Sequence, residues 1–178
     1  MIGNFWMVLP VVLIKTRLSV MRAAGLLGTL DDLFVESIQQ AGVRAIVQGW
    51  DVGMKQLTLP PSICAAGALP HSWLLPRCTG VVHHGGFGTT SAGLRAGIPA
   101  LVIPHIADQF YWGQHLHQLG VGLPFIPRPR LNRERLVAAL KELVHNDNLH
   151  TAASALGERI RAENGIDNAV RLIEEIFN

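Results

Sequence analysis

The sequence predicts an α/β fold in which a parallel sheet is covered by helices, and two observations predict it. From Leu30 onward, segments with a helical period alternate with short apolar runs typical of buried strands, which is the pattern of repeated strand and helix units. The chain has 178 residues, 49% hydrophobic and 16% charged, which is enough apolar material for one substantial core. We therefore expect one domain over residues 1–178 with helices on both faces of the sheet.

Turn and capping residues divide the first half of the chain into elements. Asp31 or Asp32 can cap a helix that runs to about residue 41, where Gly42 ends it, and residues 43–47 then form a buried strand. A proline-rich turn precedes a short strand at residues 62–66, and Pro70 opens a short helix. Helix and strand thus follow one another through short connections.

The second half repeats the pattern and ends in helices. Strands at residues 80–83 and 100–103 lead to helices at residues 89–96 and 107–119. Asn132 caps a helix to about residue 144, and helices at 148–163 and 166–177 follow, separated by Gly165. The alternating Glu and Arg of these terminal helices predict that they pack across the sheet with one solvated face.

The start of the chain is atypical. Residues 1–14 are apolar without an initial basic region, and Lys15 and Arg17 end this run short of the roughly 20 residues that a membrane span needs. We expect a first or edge strand here and treat residues 1–29 as an atypical start of the domain.

Charge and cysteine content exclude several functional classes. The formal net charge of +2 comes without a dense basic run, so we expect no nucleic-acid partner and no polybasic membrane surface. Cys64 and Cys78 match no zinc or redox spacing, and a core of this size needs no disulfide. We expect reduced, buried thiols in a cytoplasmic protein.

Residues 81–90 (VVHHGGFGTT) form the most informative stretch, because an apolar strand leads directly into imidazoles, glycines and hydroxyls. Glycines let the backbone approach a ligand closely, and the helix that follows from about Thr89 offers unpaired N–H groups and a positive dipole end to a phosphate. This loop therefore predicts a phosphorylated ligand.

Three phosphate or metal chemistries fit this loop poorly. A Walker loop needs a lysine after the glycines, and none is present. In a dinucleotide fingerprint a glycine or alanine would stand at Ser91, and the acid would end the next strand, whereas Asp108 opens a helix. Adjacent histidines on a strand point to opposite faces and cannot share a metal ion. A nucleoside diphosphate held without metal or lysine remains, with His84 as its ligand and His83 as a packed core residue.

Three polar clusters follow strands of the predicted sheet, at the rim where ligands bind in open α/β folds. They are Pro70-His71, the loop from His84 to Thr90, and residues 105–109. Asp108 and Gln109 suit sugar hydroxyls, which they can both accept from and donate to, but Asp108 is equally suited to cap a helix. Both roles stay open.

With these residues placed, the chain resembles the C-terminal, donor-binding half of a family 1 UDP-glycosyltransferase of the two-domain GT-B type, and among these the microbial sterol and natural-product glucosyltransferases. The motifs at residues 70–78 (PHSWLLPRC), 83–90 (HHGGFGTT), 93–99 (GLRAGIP) and 108–109 (DQ) occur in family order and spacing. The resemblance runs from about Leu30 to the end and implies a Rossmann-like parallel sheet with helices on both faces.

The resemblance also implies roles for individual residues. The donor's diphosphate would contact His84 and a segment that supplies backbone and hydroxyl donors, Gly86, Phe87, Gly88 and Thr89. Asp108 and Gln109 would hold the sugar hydroxyls. Leu69, mainly by its backbone, and His71 would bracket the uracil. Trp50 is expected to be a buried aromatic residue and is left out of the site.

By the same resemblance, the enzyme transfers a hexosyl group, most simply from UDP-glucose, to a hydroxyl of a lipophilic acceptor with inversion at the anomeric carbon and without a metal or other cofactor. The family's N-terminal half binds the acceptor, supplies the general base and could bring peripheral membrane association; this sequence does not contain it. The catalytic residue is therefore unknown from this chain. Two alternatives stay open: a stand-alone donor subunit that needs a separate acceptor-binding partner, and a non-catalytic nucleotide-sugar-binding fragment.

Overall fold

The structure is a computed structural model that describes residues 11–15, 27–48 and 59–177. Trp50 and most of the atypical start, residues 1–10 and 16–26, lie outside the described residues. The expectations made for them stay predictions.

The described part of the chain contains the strands β1 (Val11–Lys15), β2 (Arg44–Gln48), β3 (Ile63–Ala66), β4 (Gly80–His83) and β5 (Ala100–Val102). They form one five-stranded sheet in the order β3-β2-β1-β4-β5, with every neighbouring pair parallel. The α/β prediction is confirmed. The strand at the start of the chain, β1, is central rather than at an edge, since it pairs with β2 on one side and with β4 on the other. Its described side chains, Val12, Leu13 and Ile14, are all buried.

Helices cover both faces of this sheet. They are α1 (Leu27–Ala41), α2 (His71–Leu74), α3 (Phe87–Ala96), α4 (Asp108–Gln118), α5 (Arg133–His145), α6 (Asp147–Ala162) and α7 (Gly165–Phe177). One face packs on α1 and α5, through apolar side chains such as Phe34, Ile38 and Leu140. The other packs on α2, α3, α4 and α6, through Leu74 and Leu116 among others. Each face is a separate apolar cluster, as a two-sided parallel sheet requires.

Capping predictions hold at several helix ends. Gly42 has a φ of 69° and ends α1, while the Asn132 Oδ1 accepts the Arg135 N–H at 2.9 Å and starts α5. The break between α6 and α7 lies one residue earlier than predicted. Asn164 adopts the left-handed φ of 48° there, and Gly165 is the first residue of α7. Asparagine tolerates that conformation better than most residues, which explains the difference.

The last helix departs from the prediction that the terminal helices pack across the sheet. Both α5 and α6 bury apolar residues, but α7 buries none. Its apolar side chains are exposed, from 49% at Val170 to 82% at Phe177. Periodicity predicted an amphipathic helix correctly, but it could not show whether the described chain supplies a surface for the apolar side.

Both cysteines are free, as expected, but only one is buried. Cys78 lies under α2, where its Sγ is 3.4 Å from the Leu74 carbonyl oxygen. Cys64 is exposed on β3, so the prediction of two buried thiols is wrong for it. In β3, an edge strand of the described sheet, Cys64 and the adjacent Ala65 are both exposed.

Candidate functional site

The loop between β4 and α3 packs directly against the start of α4. Gly85 has a φ of 93°, and a Cβ on it would lie 2.8 Å from both the Gln109 carbonyl oxygen and Val102 Cγ1. A side chain at this position would therefore meet backbone that cannot move away. The structure thus brings together the β4–α3 loop and the Asp108-Gln109 pair, which the sequence had placed on one rim.

The two adjacent histidines have different environments. His83 is buried, and its Nδ1 accepts the Gly85 N–H at 3.1 Å, which holds the loop to the end of β4. His84 is only partly buried, and its imidazole packs on Gly86, where an added Cβ would lie 2.5 Å from Nε2. His83 is therefore the packed core residue that alternate facing predicted, and His84 reaches the loop surface.

The first turn of α3 leaves specific backbone donors for a ligand. Gly86 is the N-cap residue and brings no capping side chain, while its carbonyl oxygen accepts the N–H groups of Thr89 and Thr90 at 3.2 and 3.1 Å. The N–H groups of Phe87 and Gly88 precede that first bond and face outward from the helix end. Since the Thr89 N–H is used within the helix, only its hydroxyl is left for a ligand.

Asp108 does not cap α4. The N-cap residue is Ala107, with a φ of 48° and a ψ of −127°, and Asp108 is the exposed first residue of the helix. The capping interpretation of Asp108 is therefore wrong. Ala107 is a non-glycine residue in a sparsely populated backbone region, of the kind found where function fixes a local geometry.

Gln109 organises the loop that precedes α4. Its Oε1 accepts the backbone N–H of His105 at 2.7 Å and of Ile106 at 3.2 Å. Its side-chain carbonyl is thus committed to the loop, and the amide nitrogen is the part of Gln109 that can meet a sugar hydroxyl. Sequence reasoning placed Gln109 at the site but missed this second, structural role.

Leu69 and His71 lie further along the rim. Leu69 is 38% exposed in the connection after β3, and His71 begins α2. Because α2 packs against α3, both residues lie on the side of the sheet that carries the start of α3. Their proposed contact with uracil stays a prediction.

His105 and Arg128 interact electrostatically beside the loop, and sequence reasoning did not bring them together. Burial, and then the positive charges of Arg128 and His84, lower the pKa of His105 below its usual range. His105 was part of a rim cluster in the sequence, but Arg128 is 23 residues further along, and only the sheet edge brings it near. The available signal was its place just after an apolar run, at residues 121–126.

Aromatic side chains pack between α3 and α4 beside the loop. Phe87 is 60% exposed and contacts Trp112 with ring centroids 5.1 Å apart, which ties α3 to α4. Tyr111 stacks on His115 at 5.6 Å along the same helix. Phe87 therefore contributes its backbone N–H to the loop while its ring supports the junction of the two helices.

The described residues contain neither a cluster suited to a metal ion nor a helix that could span a membrane. No group of three His, Cys, Asp or Glu side chains among them is arranged to hold a metal ion. Across the same ranges, no helix is long and apolar enough to span a bilayer.

Fold and site together define a class. A parallel sheet with helices on both faces, a glycine loop leading from a strand into a helix, and an Asp-Gln pair held against that loop are the features of the C-terminal, donor-binding half of a GT-B glycosyltransferase. The chain belongs to the family of erythromycin biosynthesis protein CIII-like C-terminal domains, whose model matches residues 36–176.

Curated relatives include sterol 3-beta-glucosyltransferases. The one from Sclerotinia sclerotiorum is 40% identical over 147 residues, covering 78% of this chain and 10% of that protein. The one from Pichia angusta is 39% identical over 155 residues, covering 84% of this chain and 12% of that protein. The chain therefore spans about a tenth of the length of these relatives.

Solved structures give the same class. The spinosyn rhamnosyltransferase SpnG complexed with thymidine diphosphate is similar with a TM-score of 0.76 at 25% identity, over 93% of this chain and 45% of that one. The glycosyltransferase of kitacinnamycin has a TM-score of 0.76 at 26% identity, over 93% and 43%. Glycosyltransferase VinC, at 23% identity and a TM-score of 0.78 over 98% and 45%, supports the fold.

Proposed function

We propose that this chain binds a nucleoside diphosphate sugar for glycosyl transfer. The observation that carries the proposal is the contact between the β4–α3 loop and the start of α4, where Gly85 lies against the Gln109 backbone. This contact packs the loop that leads into Phe87 and Gly88, the first turn of α3, against the residue that follows Asp108. It supports a site in which backbone N–H groups would hold the phosphates and Asp108 would meet the sugar.

We propose UDP-glucose as the donor and a hydroxyl of a lipophilic molecule, such as a sterol, as the acceptor. The names of the sterol 3-beta-glucosyltransferase relatives support glucose and a sterol. The thymidine diphosphate in the SpnG complex supports a pyrimidine nucleotide but leaves a thymidine nucleotide as the competing donor. Leu69 and His71 are the proposed uracil contacts, since they lie on the same rim as the phosphate loop.

The proposed transfer inverts the anomeric carbon in one step. The acceptor oxygen forms a bond to that carbon as the bond to the diphosphate oxygen breaks, and a general base takes the acceptor proton. In this chain, His84, the α3 N–H groups and the Thr89 hydroxyl would stabilise the charge that develops on the leaving diphosphate, with no metal or cofactor. The general base and acceptor site would belong to the other half of the enzyme.

Because the chain covers less than half of each of the three solved structures named above, we also propose two other roles. A stand-alone donor subunit would transfer sugar only when mixed with an acceptor-binding partner. A non-catalytic nucleotide-sugar-binding domain would bind the donor and never transfer it. These roles are separated by transfer assays with and without the protein encoded by a reading frame found immediately upstream.

The sugar end of the site is tested with Asp108→Ala, which removes an exposed carboxylate that caps nothing. We expect this variant to keep the affinity of the wild-type chain for UDP and to lose about tenfold in affinity for UDP-glucose, since a charged hydrogen bond to the sugar is lost. Calorimetric titration with both ligands measures the difference. Equal weakening for both ligands, or for neither, would remove Asp108 from the sugar site.

A further inference from the structure

Three neighbouring segments each bring a basic side chain to the carboxyl end of the sheet. The Ile103 N–H donates to the His83 carbonyl oxygen at 2.8 Å, so His84 and His105 follow adjacent hydrogen-bonded positions of β4 and β5. The Ile126 N–H donates to the Val102 carbonyl oxygen at 3.0 Å, and Arg128 follows two residues later. Each of these basic residues thus lies one or two positions beyond a residue that is hydrogen-bonded to the neighbouring segment.

The loop around His105 is fixed rather than free to turn away. The His105 backbone N–H is held by Gln109, whose own backbone packs on Gly85. The His105 Nδ1 is buried, and no hydrogen-bond partner for it exists among the described residues. A buried imidazole nitrogen without a partner is costly, which is typical of a group whose partner is a ligand.

Electrostatics agree with this placement. The positive charges of Arg128 and His84 act on His105 and, after burial, are the causes that lower its pKa. Burial and the neighbouring positive charges disfavour the charged form of His105 in the absence of a ligand, and a bound anion would favour that form.

We propose that His105 and Arg128 extend the anion site from the β4–α3 loop to the end of β5, so that they and His84 together hold the phosphoryl group that carries the leaving charge. This inference rests on the proposed function and names residues beyond the predicted site. A diphosphate released from its sugar carries more charge than the bound donor. His105 and Arg128 would therefore stabilise the product, and the transition state leading to it, more than the donor.

The test compares His105→Gln and Arg128→Gln with Arg130→Gln, a matched control. Arg130 lies in the same short 3-10 turn, is exposed and loses the same charge, but it is two residues further from the sheet edge. Calorimetry with UDP and with UMP, which lacks the second phosphate, provides the readout, and thermal unfolding shows that each variant is folded. Arg128→Lys serves as a second variant that keeps the charge.

We expect His105→Gln and Arg128→Gln each to weaken UDP binding about tenfold, through loss of a charge-assisted hydrogen bond, and to leave UMP binding within twofold of the wild-type chain. Arg130→Gln is expected to bind UDP normally, and Arg128→Lys to recover most of the affinity. If the wild-type chain binds UDP and both variants bind it like Arg130→Gln, this inference is overturned and the proposed function stands. If the wild-type chain does not bind UDP, the proposed function is overturned as well.

Discussion

At the scale of single residues, the site depends on one glycine that allows two loops to meet. Gly85 combines a φ of 93° with a Cβ position only 2.8 Å from the Gln109 carbonyl oxygen. Gly88, three residues later in α3, has nothing within 4 Å of its Cβ position. The glycines of this loop are therefore not equivalent, although the sequence makes them look alike.

Gly85→Ala is expected to destabilise the protein by about 2 to 4 kcal/mol, since alanine adds backbone strain and a steric overlap with backbone. Gly88→Ala is expected to be neutral or to stabilise by up to about 1 kcal/mol, since alanine favours a helix. Chemical denaturation of both variants measures the free energy of unfolding. Equal effects of the two substitutions would contradict the close approach at Gly85.

The two cysteines differ in burial, and we expect them to differ in reactivity. Burial raises the pKa of the Cys78 thiol to about 11, so little thiolate forms at pH 8, and the side chain is also inaccessible. Cys64 is exposed. We expect an alkylating reagent at pH 8 to modify Cys64 in the native protein and Cys78 only after unfolding, as mass spectrometry of the digested protein would show. Rapid native labelling of Cys78 would contradict its placement.

Residue types and spacing predicted part of this detail. Alternate facing along β4 separated His83 from His84, because a strand's geometry is local. The backbone of Ala107 and the second role of Gln109 were not predictable, since both depend on contacts between loops distant in the chain. Asp108 appeared to be a cap for the same reason: its residue type allows capping, and only the backbone of the preceding residue decides against it.

At the scale of elements, the sequence predicted which helices and strands are present better than it predicted where each one begins and ends. α1 begins at Leu27, several residues before the predicted cap at Asp31 or Asp32, and α3 begins at Phe87 rather than Thr89. Glycine has low helix propensity, which favoured the later start for α3. The loop contacts of Gly85 and Gly86 override that preference and place Phe87 and Gly88 in the first turn, where their N–H groups stay open.

The terminal helix α7 yields a prediction of its own. Because it buries no side chain, truncation after Glu163 is expected to change the free energy of unfolding by less than about 0.5 kcal/mol. Truncation after Asn146 also removes α6 with the buried Leu149 and Ala153, and is expected to cost about 2 kcal/mol or more. Thermal unfolding of the two truncated chains measures the contrast. A large loss from the shorter truncation would show that α7 packs on the domain.

At the scale of the whole molecule, the parallel sheet assembles the site from segments far apart in sequence. Residues near 70, 84, 105 and 128 all follow positions at the carboxyl end of the sheet. The alternation of strands and helices predicted this rim, and motif spacing predicted the family, which the match over residues 36–176 confirms. Arg128 could not be placed, since the segment before it joins the sheet edge through a few hydrogen bonds without forming a predicted strand.

The central claim is that the β4–α3 loop binds the diphosphate of a nucleotide sugar, and a titration of the wild-type chain and His84→Ala with UDP tests it most directly. We expect the wild-type chain to bind UDP and the variant to bind at least tenfold more weakly, since a charge-assisted hydrogen bond is lost while the fold is kept. His145→Ala, an exposed histidine at the end of α5, is the control and should bind like wild type. Absence of UDP binding by the wild-type chain, or equal affinity in His84→Ala, would contradict the claim.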